Sequence, residues 1–124
     1  MKVYIDTNVY LDYFLERRNA KKSFRIFRKA LRCDFFIIIS DHALNELIRY
    51  IEPKNVRFFF ATLNHKLIKV YASEEDKLEA KNISTHYEDA LHIVLAKKSE
   101  ADIIITNNIK DFKGLFNSKI PEDV

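Results

Sequence analysis

The chain has 124 residues, room for one hydrophobic core and not for two. With 48% hydrophobic residues, one Gly, two Pro and a net charge of +3, it is too apolar and too poor in breakers for a disordered chain. Its apolar stretches, of which residues 35–39 are the longest unbroken run, fall far short of the ~20 residues that cross a bilayer. A single cysteine, Cys33, excludes an internal disulfide. No signal peptide is expected, because Met1 leads straight into a strand-like stretch, so a cytoplasmic location is expected.

Residues 3–5 predict a short buried strand, closed by the turn-forming Asp6-Thr7-Asn8. A helix from Asn8 to about Glu16 would bury Val9, Leu11 and Phe14. Residues 17–32 then hold eight cations (Arg17, Arg18, Lys21, Lys22, Arg25, Arg28, Lys29 and Arg32) and no acid. Ala20, Phe24, Phe27 and Leu31 recur at helical spacing, which predicts a helix over 20–33 with its cations on the opposite face. Such a face attracts polyanions, although a basic run serves equally as a solvated surface. Cys33, with no base near it in sequence, reads as a small buried residue.

Residues 36–39 predict a second buried strand, with Ser40 or Asp41 capping a helix that runs to about Tyr50. Pro53 ends that helix or opens the next, which carries Phe58, Phe59 and Phe60. Three consecutive helical residues spread over about 200°, more than one helix face, so one ring is left for a partner or for a second packed layer. Residues 66–71 alternate enough for an edge strand. Ser73 with Asp76, and Thr85 with Glu88, match the capping-box pattern and predict two further helix starts. The second, over 86–98, would bury Ala90, Leu91, Ile93, Val94, Leu95 and Ala96. Residues 103–105 are the last predicted central strand, and the tail after Phe112 is left unassigned.

Strands separated by helices imply crossover connections and a mostly parallel sheet in a three-layer α/β/α fold. All strand C-termini of such a sheet lie along one edge, where ligands bind. That edge would gather Asp6, Glu46, Asp89 and Asn108, and no Cys or His cluster accompanies them in sequence. Taken singly, each has a plainer reading: Asp6 as a cap, Glu46 as a solvated side chain, Asp89 as a first-turn acid favoured by the helix dipole. Together they predict an all-oxygen pocket suited to Mg²⁺ or Mn²⁺. Thr7 and Asn8 would brace the first turn, while Thr106 and Asp111 crowd the last strand end.

In order and spacing, Val3-Tyr4-Ile5-Asp6-Thr7-Asn8, Ser40 to Glu46, Glu88-Asp89-Ala90-Leu91 and the 106–112 segment Thr-Asn-Asn-Ile-Lys-Asp-Phe resemble the PIN-domain family, in particular its VapC-type toxins. The resemblance runs over essentially the whole chain, residues 1–124. It implies a PIN-like nuclease domain with metal ligands at Asp6, Glu46 and Asp89, and a fourth catalytic position at Asn108. That position is often Asp in the family, so Asn108 removes one formal charge, which Asp111 is placed to supply. The resemblance also implies an endoribonuclease using Mg²⁺ or Mn²⁺, a homodimer, and a cognate antitoxin. Lys21, Lys22, Arg25 and Lys110 are the candidate RNA contacts. Three readings compete: a solitary PIN nuclease, a receiver- or phosphatase-like domain with Asp6 as nucleophile, and a non-catalytic RNA-binding module.

Overall fold

Alternation along three central strands decides the layers. In the computed structural model, which describes residues 1–124, β1 (Lys2–Ile5), β2 (Phe36–Ser40) and β4 (Ile103–Ile105) are buried on both faces. Val3, Ile5, Ile37, Ile39, Ile103 and Ile105 point into one core with α1 (Thr7–Phe14), α2 (Ala20–Leu31), α3 (Asp41–Leu47) and α4 (Pro53–Thr62). Tyr4, Ile38 and Ile104 point into the other with α5 (Glu74–Ala80), α6 (Tyr87–Lys98) and α7 (Ile109–Phe112). Period-two geometry sends neighbours to opposite faces, so each strand serves both cores.

The two remaining strands are β3 (Leu67–Val70) and β5 (Ser118–Lys119). All five run parallel in the order β3-β2-β1-β4-β5, which confirms the α/β/α reading and places β3 at an edge. Chain direction across the sheet reverses about β1: β2 and β3 lie to one side, β4 and β5 to the other. The crevice beyond the C-terminal ends of β1 and β4 is therefore the switch point where such sheets bind ligands. No helix is long and apolar enough to cross a membrane.

Several local expectations change. The first helix is α1, which starts one residue earlier and ends two residues earlier than expected. On α2 the inward residues are Ser23, Ile26, Phe27 and Ala30, while Phe24 and Leu31 stay 46% and 45% exposed. The apolar stripe is thus rotated from the expected one: Ile26 and Ala30 join the buried core and the outer rings border an open cleft. Cys33 is exposed, in a left-handed turn (φ 68°) that joins α2 to β2. Ser40 caps α3, its hydroxyl accepting from the Ala43 amide at 3.0 Å. Ser73 and Asp76 form the expected capping box. The Thr85 box does not form: α6 starts after His86, Thr85 donates to the Asp111 carbonyl at 3.3 Å, and Glu88 pairs with Arg49 at 3.2 Å. Tertiary partners outcompete the local cap. Of the three consecutive rings, Phe60 is buried, Phe59 packs among Phe14, Phe27 and Phe60 with centroids 4.9–5.0 Å away, and Phe58 is 75% exposed.

Phe112 is fully buried and anchors the segment after β4. Phe112→Ala is expected to destabilise the protein by about 3–5 kcal/mol in chemical denaturation, through lost transfer energy and the cavity left behind. Phe58→Ser, at an exposed site, should change stability by less than about 0.5 kcal/mol.

Candidate active site

The parallel sheet brings one carboxylate out of each neighbouring element. Asp6 leaves β1 with only 3% exposure, and its Oδ2 accepts from the Thr106 hydroxyl at 2.9 Å. Thr106 comes directly after β4 and also accepts from the Asn108 amide at 2.9 Å, so one hydroxyl closes its own turn and orients Asp6. Asp89 is the third residue of α6, half-buried and electrostatically coupled to Asp6 and Asp111.

Glu46, on α3, faces inward. Its Oε1 accepts from the Thr7 hydroxyl at 2.7 Å and lies 2.7 Å from His92 Nε2. Thr7 therefore holds a side chain from a distant helix instead of bracing its own turn. His92, in the middle of α6, is 1% exposed, and its Nδ1 meets the Tyr4 hydroxyl at 2.6 Å. Tyr4 in turn meets the Ser40 hydroxyl at 2.7 Å. His92 Nε2 is also 3.9 Å from Asp6 Oδ1. On α3, His42 presents Nε2 to the Glu88 carbonyl at 3.1 Å and stands 3.5 Å from Glu46 Oε1.

Charge at this edge is paired from within. Burial pushes the Glu46 carboxyl up, but the hydrogen bond and charge of His92, with the Thr7 hydroxyl, outweigh it and hold it well below the usual range. Burial lowers the His92 imidazole, and the Glu46 hydrogen bond with the Asp6 charge reverses this and raises it. His42 is lowered by burial and by the His92 charge. Asp6 is raised by burial against the pull of His92 and Thr106. Asp89 is raised to about 6 by burial and by the Asp6 carboxylate beside it. Asp6 and Asp89 are thus hard oxygen donors that resist joint ionisation, a set a divalent cation would relieve and which fits Mg²⁺ or Mn²⁺.

The other expected positions divide between this edge and the α2 face. Asn108 is the residue before α7, half-buried, and its neighbour Asn107 donates to Asp12 Oδ2 at 2.7 Å. Asp12, 8% exposed, was not foreseen as part of this region, though its carboxyl is coupled to Asp6. Asn8 and Asp111 are half-buried at the same edge, and Lys110 is exposed on α7. Lys22 pairs with Glu122 at 2.8 Å, Arg25 donates to the Glu122 carbonyl at 3.0 Å, and Lys29 donates to the Val124 carbonyl. The C-terminal tail thus engages part of the cationic face. Lys21 instead borders the open cleft of about 620 Å³ lined by Tyr13, Phe14, Phe24, Phe58 and Phe59.

His42 and His92 escaped the sequence reading. A signal for His92 was present: it is the one polar residue in the run 90–96 and lies three residues after Asp89, on the same helical face.

The solved structures similar to this chain have its fold. A toxin–antitoxin complex from Klebsiella pneumoniae is 21% identical with a TM-score of 0.68, over 96% of this chain and 97% of that one. VapBC2 from Rickettsia felis, bound to a DNA fragment from its promoter, is 18% identical with a TM-score of 0.69, over 97% and 98%. VapC20 from Mycobacterium tuberculosis, a sarcin–ricin-loop-cleaving toxin, is 12% identical with a TM-score of 0.61, over 82% and 86%. No curated protein matches the chain. The PIN domain model matches residues 2–110, and the chain therefore belongs to the PIN-domain family.

Proposed function

We propose that the protein is a metal-dependent endoribonuclease, the toxin of a VapBC-type toxin–antitoxin pair. The observation that supports this reading best is that Asp6 leaves β1 at the β1–β4 switch point and that its charge, after burial, raises the Asp89 carboxyl at the start of α6. Support comes from the family and from neighbours that are toxin–antitoxin complexes or, in one case, a sarcin–ricin-loop-cleaving toxin.

Asp6, Asp89 and Glu46 are the residues that would hold Mg²⁺ or Mn²⁺. Such an ion, when bound, supplies Lewis-acid activation of the phosphodiester and of the attacking water. Thr106 fixes the Asp6 carboxylate, and Thr7 with His92 fixes Glu46, so the donors stand oriented before substrate arrives. Asn108 would take the fourth position as a neutral donor, with Asp111 beside it to supply the missing carboxylate. Lys110 is the cation nearest these residues in sequence and is placed to meet a substrate phosphate. Lys21 remains a further RNA contact, while Lys22 and Arg25 would have to release the C-terminal tail to act as such.

The cleft between α1, α2 and α4 gives the antitoxin reading a surface, with aromatic walls and the Lys21 and Arg28 side chains at its rim. A homodimer and a cytoplasmic location complete the proposal, with residues 1–124 as one nuclease domain.

Asp6→Asn and Asp89→Asn should each abolish Mg²⁺- or Mn²⁺-dependent cleavage of labelled RNA while the circular dichroism spectrum is retained. Wild-type rates in either variant would overturn the assignment. Lys110→Gln should weaken RNA binding and lower the slope of log affinity against log salt by about 1. In the metal-free protein, the folded Asp89 carboxyl titrates near 6 against an unfolded value of 3.8. The native state then holds the extra proton between these values, so this group makes stability fall as pH rises through that window. Thermal melts in chelator should show a steeper loss between pH 4 and 6 for the wild type than for Asp89→Asn.

A further inference from the structure

We propose that His42 Nε2, Glu46 Oε1 and His92 Nε2 form a binding site for a transition-metal ion of the Zn²⁺ and Co²⁺ class. The site shares Glu46 with the acidic pocket, yet it differs in donor chemistry and stands whether or not the protein cleaves RNA.

The geometry comes from two helices. His42 and Glu46 are four residues apart on α3, the spacing that puts two side chains on one helical face. His92 reaches them from α6, across the sheet edge. Glu46 Oε1 is 2.7 Å from His92 Nε2 and 3.5 Å from His42 Nε2, and all three atoms lie within 4.8 Å of one another. Donor atoms around a tetrahedral ion with bonds of ~2.0–2.2 Å stand about 3.3 Å apart. One edge already has nearly that length, and the ion would spread the His92–Glu46 pair by about half an ångström. Two imidazoles and one carboxylate are a borderline donor set, poorly matched to Mg²⁺, which demands a near-octahedral shell of oxygens.

The surroundings are those of a metal-binding histidine. His92 Nδ1 rests on the Tyr4 hydroxyl, and Tyr4 on Ser40, which itself caps α3. A ligand histidine whose second nitrogen is held in this way has its ring orientation set before the ion arrives. Once the ion displaces the Nε2 proton that bonds Glu46, with Nδ1–H donated to Tyr4, the Nε2 lone pair is turned toward the space between Glu46 and His42. The side chains of His42 and Glu46 keep 11% and 13% exposure, so an ion can enter from solvent, whereas His92 forms the closed floor. Binding replaces the His92–Glu46 hydrogen bond and the bond from His42 to the Glu88 carbonyl. Three protein donors leave one position open, with Asp6 Oδ1, 3.9 Å from His92 Nε2, near enough to accept a hydrogen bond from a water bound there.

Protein stripped with a chelator is titrated with ZnCl₂, and separately with MgCl₂, by calorimetry without RNA; CoCl₂ is added in parallel and the visible spectrum recorded. One Zn²⁺ per chain should bind at least ~100-fold more tightly than Mg²⁺, and Co²⁺ should give the visible bands of a four-coordinate ion. His42→Ala, at the rim and harmless to the core, should weaken Zn²⁺ by ~10-fold or more, and Tyr4→Phe by ~10–100-fold. Asp89→Asn should leave Zn²⁺ affinity unchanged. No Zn²⁺ binding, wild-type affinity in His42→Ala, or loss of Zn²⁺ in Asp89→Asn with retention in His42→Ala would each overturn the site. Because no readout uses cleavage, an inactive protein that binds Zn²⁺ in this pattern refutes the nuclease reading alone.

Discussion

A buried charge survives only beside its opposite, and here a helix packed on the sheet brings a base to it. The hydrogen-bonded chain from Ser40 through Tyr4 and His92 to Glu46 crosses from the end of β2 to the middle of α6 and back to α3. Its imidazole, raised by these same neighbours, sits between Glu46 and Asp6, two carboxylates that burial alone would neutralise. Cutting this chain would leave an unpaired acid in a nearly dry pocket. The fold therefore accepts acids at the β1–β4 crevice because α6 delivers a base to the same place.

That arrangement separates two kinds of acid. Glu46 is ionised and tied down by three elements at once. Asp6 and Asp89 raise each other's cost of ionisation on top of burial, and both are biased toward the protonated form. The second pair has the unmet electrostatic demand, which is why the reading of the pocket as a divalent-cation site rests on them more than on Glu46. The same division explains why nitrogen donors collect around Glu46 and oxygen donors around Asp6.

The cations show a different balance. The basic side of α2 reads as a polyanion surface from its sequence, yet Lys22, Arg25 and Lys29 have partners in the tail at Glu122 and Val124. A chain reversal placed β5 at the sheet edge and laid the last residues over that face. The apolar residues of α2 expected to point inward, Phe24 and Leu31, remain outside and wall a cleft with Phe58.

Sequence alone determined the layers and the edge. Short β-branched strands separated by amphipathic helices admit few arrangements other than a parallel sheet covered on both sides, and any parallel sheet gathers the residues just past its strand ends along one edge. Asp6 and the 106–111 segment were legible for that reason, and Asp89 as a first-turn acid of the helix that precedes β4. Tertiary structure decided what each acid touches: Thr85 bonds α7 and not its own helix, Thr7 holds Glu46, and His92 enters the pocket from a run that reads as core. Local pattern carries a residue to a face or an edge. Only the packing of one helix against another settles which side chain meets it there, because hydrogen-bond distances depend on rotations that periodicity does not encode.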